Sequence, residues 1–400
     1  MAGDAGGWIE ELLVAAGGPA RDAAAPGPGG GPGRDSVLRY STTLGRRIRH
    51  DATWSEAAIS TYAKARAAVE AGEWARASEY VAFFVDEASV IFGVFRGLIP
   101  DAISFLEGRG LSRTELLDLN RHLLELIPLP DGRPFVARHR WTEFLAEVDA
   151  CTLACGGHDG AAALAHLDAL KEAWRQVQDR DVDHLYGLLN EAVLRFGEPV
   201  VGEFWDAIIG PLFTARYEKF DASRNPWAAS LWTNVYLAFE AMRGHLVGPD
   251  RDGSMEFSED DERYTWRFDP CGSGGRAMRG DSIEGSPPRM ESPFSYGVTK
   301  EKFDFAWNKK GVCYYCVNCC VVMQLMPIDK FGYPVRVVEP PTYPAERDVK
   351  CTWHVYKDPA RVPARYYEDV GRAKPAPSVP PATTMSSTAA TPTSTSDEEG

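Results

Sequence analysis

The sequence predicts an α+β fold, mostly α: an N-terminal helical bundle with a smaller C-terminal α+β region carrying a Cys cluster. Three observations lead there. Apolar residues recur at helical spacing from about residue 53 to 246. Near residue 247 the pattern turns to alternation, with Tyr264, Trp266 and Phe268 separated by Thr265 and Arg267. Six of the eight cysteines lie after residue 270.

The elements follow in chain order. Residues 1–35 are rich in Ala, Gly and Pro and read as a disordered leader. Residues 36–247 are assigned to the bundle. Thr53-Trp-Ser-Glu56 and Ser112-Arg-Thr-Glu115 are capping-box starts. Leu116, Leu119, Leu123, Leu124 and Ile127 form an apolar stripe that Pro128 stops. Ala161–Val177, Val182–Phe196 and Val200–Phe220 repeat the pattern, with short polar or Gly-containing joints between them. Pro226 stands where the first turn of a helix over Trp227 to Met242 begins. Short joints imply antiparallel neighbours, hence a bundle.

Residues 248–372 read as the Cys-rich α+β region. Gly248 to Gly253 is a turn cluster, and the acidic residues Glu256 to Glu262 read as a solvated loop. Strands are expected around Tyr264–Phe268, over Pro334–Val338 and over Cys351–Tyr356, with a helix from Gly311 to Met326 stopped at Pro327. Residues 373–400 are Pro, Ser, Thr and Ala with an acidic end, and read as a disordered tail.

Composition narrows the function classes. The formal charge is −14, which disfavours broad binding to nucleic acid or an anionic membrane. No apolar run of spanning length is expected, since Asp86, Glu87 and Gly93 interrupt the best candidates. The N-terminus has no cationic region ahead of an apolar one, so a cytosolic protein is expected. In a reducing compartment, clustered cysteines point to metal binding or catalysis more than to disulfides.

Three constellations carry chemistry. Cys271-Gly272-Ser273-Gly274-Gly275-Arg276 follows a predicted strand, and its glycines permit close backbone approach to a ligand. Arg276 and Arg279 are suited to fork onto a carboxylate. The loop lacks both the Gly-Lys-Ser/Thr ending and the Gly-x-Gly-x-x-Gly spacing of nucleotide-binding loops. A tight turn is the plainer alternative.

Cys313-Tyr-Tyr-Cys-Val-Asn-Cys-Cys320 is the most specific feature, with Cys316 and Cys319 one helical turn apart. Thiolates suit zinc or an iron–sulfur cluster, although buried Cys also packs as a small hydrophobe. In Cys351-Thr-Trp-His354 a strand turns Cys351 and His354 to opposite faces, which makes Cys351 the preferred site residue and leaves His354 in reserve as an acid or base.

Together these give a zinc-ligand set of Cys271, Cys316, Cys319 and Cys351, with Cys313 and Cys320 as spares. The alternative is an iron–sulfur cluster on Cys313, Cys316, Cys319 and Cys351, though Val321 stands where a ferredoxin run has Pro. Cys151 and Cys155 are expected to pack in the core, and Glu203 with Asp206 to form a solvated face.

The order of these features resembles the L-2-amino-thiazoline-4-carboxylic acid hydrolase-like family. The likeness rests on Cys271 after a strand, the Cys316 and Cys319 segment, and Cys351 in a last strand, over about residues 180–360. The extra thiols at Cys313 and Cys320 and the Gly-Ser-Gly-Gly loop depart from it. The resemblance implies hydrolytic opening of a small cyclic C–N or C–S substrate bearing a carboxylate.

Two classes of function are carried forward. One is a small-molecule hydrolase, with zinc-activated water or Cys271 as nucleophile, and Gly272, Ser273, Gly274, Gly275 and Arg276 holding an anionic substrate. The other is non-enzymatic, with zinc or buried Cys stapling the C-terminal region to a partner-binding helical scaffold. An iron–sulfur redox protein is a third.

Overall fold

The computed structural model describes residues 36–376. The leader over 1–35 and the tail beyond 376 lie outside the described residues. Within them the fold is α+β and mostly α. An antiparallel hairpin, β1 (Leu38–Ser41) and β2 (Arg46–Arg49), comes first and was not foreseen from helical periodicity.

The helical part runs α1 (Trp54–Ala57), α2 (Thr61–Glu70), α3 (Trp74–Gly108), α4 (Arg113–Glu125), α5 (Ala137–Gly156), α6 (Gly160–Phe196), α7 (Val200–Tyr217) and α8 (Trp227–Gly244). The capping box at the start of α4 is complete: the Ser112 hydroxyl accepts the Glu115 N–H, and the Glu115 carboxylate accepts the Ser112 N–H. Ser112→Ala is therefore expected to cost about 1 kcal/mol, read by urea unfolding. At α1 only half of the box forms, with Thr53 accepting from Glu56.

Contrary to the sequence expectation, α3 is by length and composition long and apolar enough to cross a membrane. In the fold Phe83, Phe84, Phe92 and Phe95 of α3 are buried in the protein core. Cys151 and Cys155 are buried there too, as expected.

The two helices expected over 161–196 are one. Every residue of α6 from Trp174 to Leu189 is buried, charged ones included. The polar run Gln178-Asp-Arg-Asp181 reads as a joint in the sequence, but it is the middle of a helix shut inside the protein. Charges from later in the chain meet it there, and they change its meaning.

The C-terminal part holds a four-stranded antiparallel sheet of order β3 (Glu256–Glu259), β4 (Arg263–Phe268), β6 (Cys351–Tyr356), β5 (Val337–Glu339). The acidic stretch read as a loop thus supplies an edge strand, a place where charge guards against edge pairing. The sheet lies on α8, with Phe239 packed at 5.2 Å from Trp266 and 5.1 Å from Phe257 between ring centroids.

The helix expected over 311–326 starts late and ends late. Cys313 forms a bridge with Val298, residues 314–316 turn, and α10 spans only Val317–Cys320. A wide π turn over Val321–Leu325 then leads into α11 (Met326–Phe331). Pro327 sits in the first turn of α11, where its missing N–H costs nothing, so it does not stop the chain.

Candidate thiol site

The β4–β6 pairing decides where two of the site cysteines sit. Phe268 lies opposite Cys351, so the chain leaving β4 at Cys271 passes close to the start of β6. Between them runs α9 (Gly274–Arg279), entered directly from Cys271. The turn at 314–316 then brings in a third segment. Cys271 acts electrostatically on Cys316, Cys319 and Cys351, which places all four sulfurs of the expected set in one neighbourhood.

Cys271, Cys316, Cys319 and Cys351 are partly buried residues, whereas Cys313 and Cys320 are buried. Burial still pushes the Cys319 and Cys351 thiols far up, and Cys316 is raised first by its hydrogen bond to Cys313 and then by burial. At neutral pH these three are protonated S–H donors. Cys271 differs in receiving the Gly275 N–H at 2.9 Å on its sulfur.

Cys313, a spare in the sequence reading, sits among donors. Burial works against its ionisation. The Cys316 thiol, the Tyr186 hydroxyl and the N–H groups of Cys316 and Tyr315 outweigh burial and hold it below the usual thiol range. The Tyr186 hydroxyl also donates to the Gly297 carbonyl at 2.5 Å. Its single proton serves Gly297 when Cys313 is a thiol and can turn to sulfur when Cys313 ionises. Cys320 instead points its thiol at the Asp304 carbonyl, 3.5 Å away.

The glycine loop serves packing. A methyl on Gly272 would overlap the His245 carbonyl, and one on Gly274 would overlap Cys316 Sγ. The Gly272 carbonyl is tied to α6 by Gln178 Nε2 at 3.1 Å. Close approach is thus to the protein's own backbone and sulfur.

Arg276 differs from the expectation. Its guanidinium is buried against α6, donating to Asp183 Oδ1 at 2.5 Å and to the Asp179 carbonyl at 3.0 Å. Arg289 closes on the other Asp183 oxygen at 2.9 Å. Its charge is paired inside the protein with Asp183 and Asp179, while Nε and Nη1 have no hydrogen-bond partner. Arg279 is tied to Asp269 and to the Arg347 carbonyl.

His354 also stands apart. It faces away from Cys351, with Nδ1 3.0 Å from the Thr265 hydroxyl and Nε2 3.6 Å from Glu339. It is not gathered with the thiols.

Sequence reasoning missed Arg336, Tyr217 and Trp353. Arg336 and Tyr217 lie within electrostatic reach of Cys319, and the Trp353 indole stands beside Cys351 without a proper acceptor. The available signal was a charge at Arg336 inside the apolar run Val335 to Val338. An open groove of about 620 Å³, lined by Pro199, Glu203, Asp206, Phe305, Met326 and Arg372 among others, includes none of the cysteines and offers no comparable chemistry.

For a metal the donor chemistry fits in part. N–H groups on the sulfurs of Cys271 and Cys313 are of the kind that support ligated thiolates. Among the described residues, however, no three or more His, Cys, Asp or Glu side chains are grouped closely enough to hold one ion. Comparison of the chain with protein-family models, with curated proteins and with solved structures gives no match.

Proposed function

We propose that the thiol cluster is the reaction centre of a small-molecule hydrolase acting on a carboxylate-bearing substrate, with Cys271 as nucleophile. The observation that carries the reading is the gathering of four partly buried cysteines from three chain segments. The Cys271 thiolate adds to the electrophilic carbon of a C–N or C–S bond. That bond breaks, and its nitrogen or sulfur takes a proton from a neighbouring protonated thiol. Water then cleaves the carbon–sulfur bond to Cys271, giving the product and restoring the thiols.

The test is turnover of 2-amino-thiazoline-4-carboxylate, the compound in the name of the family that the chain resembles. Cys271→Ser is expected to fold normally and to lose at least about a hundredfold in turnover. Equal turnover in both proteins contradicts the nucleophile assignment.

The second reading is zinc on Cys271, Cys316, Cys319 and Cys351, favoured by the N–H group on Cys271. Bound there, zinc supplies structural closure, or Lewis acidity if one position stays open. Binding must displace the protons that burial keeps on three of the thiols, so affinity falls steeply with acid. Metal analysis of anaerobically purified protein separates the readings. One zinc per chain with unfolding in chelator supports zinc, and iron with acid-labile sulfide supports a cluster. A metal-free folded protein with Cys271-dependent turnover supports the hydrolase.

A further inference from the structure

Eight arginines are buried among the described residues, and seven of them have a carboxylate: Arg49 with Asp51, Arg175 with Asp179, Arg180 with Glu284, Arg243 with Glu87, Arg251 with Asp179, and Arg276 and Arg289 with Asp183. Arg336 is the eighth. It is 5% exposed, and among the described residues no carboxylate pairs with it. Its side chain makes one hydrogen bond, from Nη2 to the Asn234 carbonyl at 3.2 Å, and Nε has no partner.

Its surroundings repeat the deficit. The guanidinium lies 5.6 Å from the centre of the Trp353 ring, whose indole N–H has only the Cys351 sulfur to turn to. Tyr217, within electrostatic reach of both Arg336 and Cys319, has a buried hydroxyl without a partner. Two neighbouring donors, the Trp353 indole and the Tyr217 hydroxyl, thus stand beside one unpaired cation that has an unpartnered N–H of its own, near Cys319. Buried donors are normally satisfied, and a buried charge is normally paired. The missing partner is an acceptor-rich anion.

We infer that Arg336 is the anion-binding residue of the thiol cluster and that it pairs with the carboxylate of the substrate beside Cys319. The inference rests on the hydrolase reading for the word substrate, but the anion site stands on its own geometry. It moves carboxylate recognition from Arg276, whose charge is spent on Asp183, to a residue the sequence reading passed over. A planar guanidinium with a free edge suits the two oxygens of a carboxylate.

The probe is acetate on the full chain, with chloride at equal ionic strength as control. Acetate is expected to raise the thermal midpoint of the wild-type protein and to slow iodoacetamide labelling of Cys319, followed by peptide mass spectrometry. Arg336→Met removes an unpaired buried charge, so without acetate it is expected to be at least as stable as wild type and to show neither acetate effect. Arg336→Lys keeps the charge but not the fork, and is expected to weaken acetate by at least about tenfold.

No acetate effect on the wild-type protein, or an undiminished effect in either variant, overturns the inference. If Arg336→Met does not fold, Arg336→Lys decides alone. Cys271→Ser separates the two readings. Acetate protection that survives in Cys271→Ser, with no turnover in any protein, keeps the anion site and removes the hydrolase. Cys271-dependent turnover with KM unchanged in Arg336→Lys keeps the hydrolase and removes the anion site.

Discussion

Asp179→Asn is expected to destabilise the protein by about 3–5 kcal/mol, the cost of leaving buried charge uncompensated. Asp179 is buried in the middle of α6 and is the hub of three guanidinium groups: Arg251 at 2.5 Å, Arg175 at 2.9 Å and Arg276 at 3.4 Å. Arg251 also reaches the Leu246 and Gly272 carbonyls, so the same hub anchors the loop that carries Cys271. Loss of the carboxylate strands positive charge in the core and loosens the floor of the thiol site together.

The pH dependence follows from the same contacts. Burial pushes the Asp179 carboxyl up, but Arg251, Arg276 and Arg175 pull it far below the usual carboxylate range. Asp183 is lowered in the same way by Arg276 and Arg289. A carboxylate depressed in the folded state contributes stability above its unfolded value of about 3.9, and that stability fades as the pH falls toward the folded value. Urea unfolding is expected to show wild-type stability falling below about pH 5, and Asp179→Asn to show a shallower fall. Equal slopes contradict the assignment.

Gly272→Ala is expected to be nearly as damaging, because the new methyl meets the His245 carbonyl, a backbone atom that cannot swing aside. A cost of about 1–3 kcal/mol is expected, the usual range for overpacking. Gly274→Ala meets Cys316 Sγ instead, a short side chain able to turn. It is expected to cost less stability but to change the rate at which Cys316 is alkylated. Thermal midpoints and peptide-resolved thiol labelling read the two effects separately. Two silent substitutions contradict the close approach.

Local signals proved legible. The Ser112 and Glu115 side chains form the capping box that their spacing announces, and β6 spans Cys351–Tyr356 as the alternation indicates. Cys319 and Cys351 lie on the helix and strand expected for them and Cys271 follows a strand, while Cys316 sits in the turn ahead of the helix. What stayed hidden depends on partners distant in sequence. Gln178 to Asp181 resembles a solvated joint until Arg251 and Arg276 arrive to neutralise it. The Gly272 to Gly275 loop resembles a ligand cradle until His245 and Cys316 fill the space. Arg336 resembles a strand-surface charge until its neighbours prove to be Tyr217, Trp353 and Cys319. Polarity alone cannot tell water from a buried counter-charge.

Dibromobimane, which becomes fluorescent when its two arms bridge neighbouring thiols, tests the gathering of the four thiols most directly. The native, reduced chain is treated, digested and mapped by mass spectrometry. Bridges from Cys271 to Cys319 or Cys351, joining peptides far apart in sequence, are the predicted result. Bridges confined to the 313–320 segment, with Cys271 and Cys351 labelled only singly, would contradict the account.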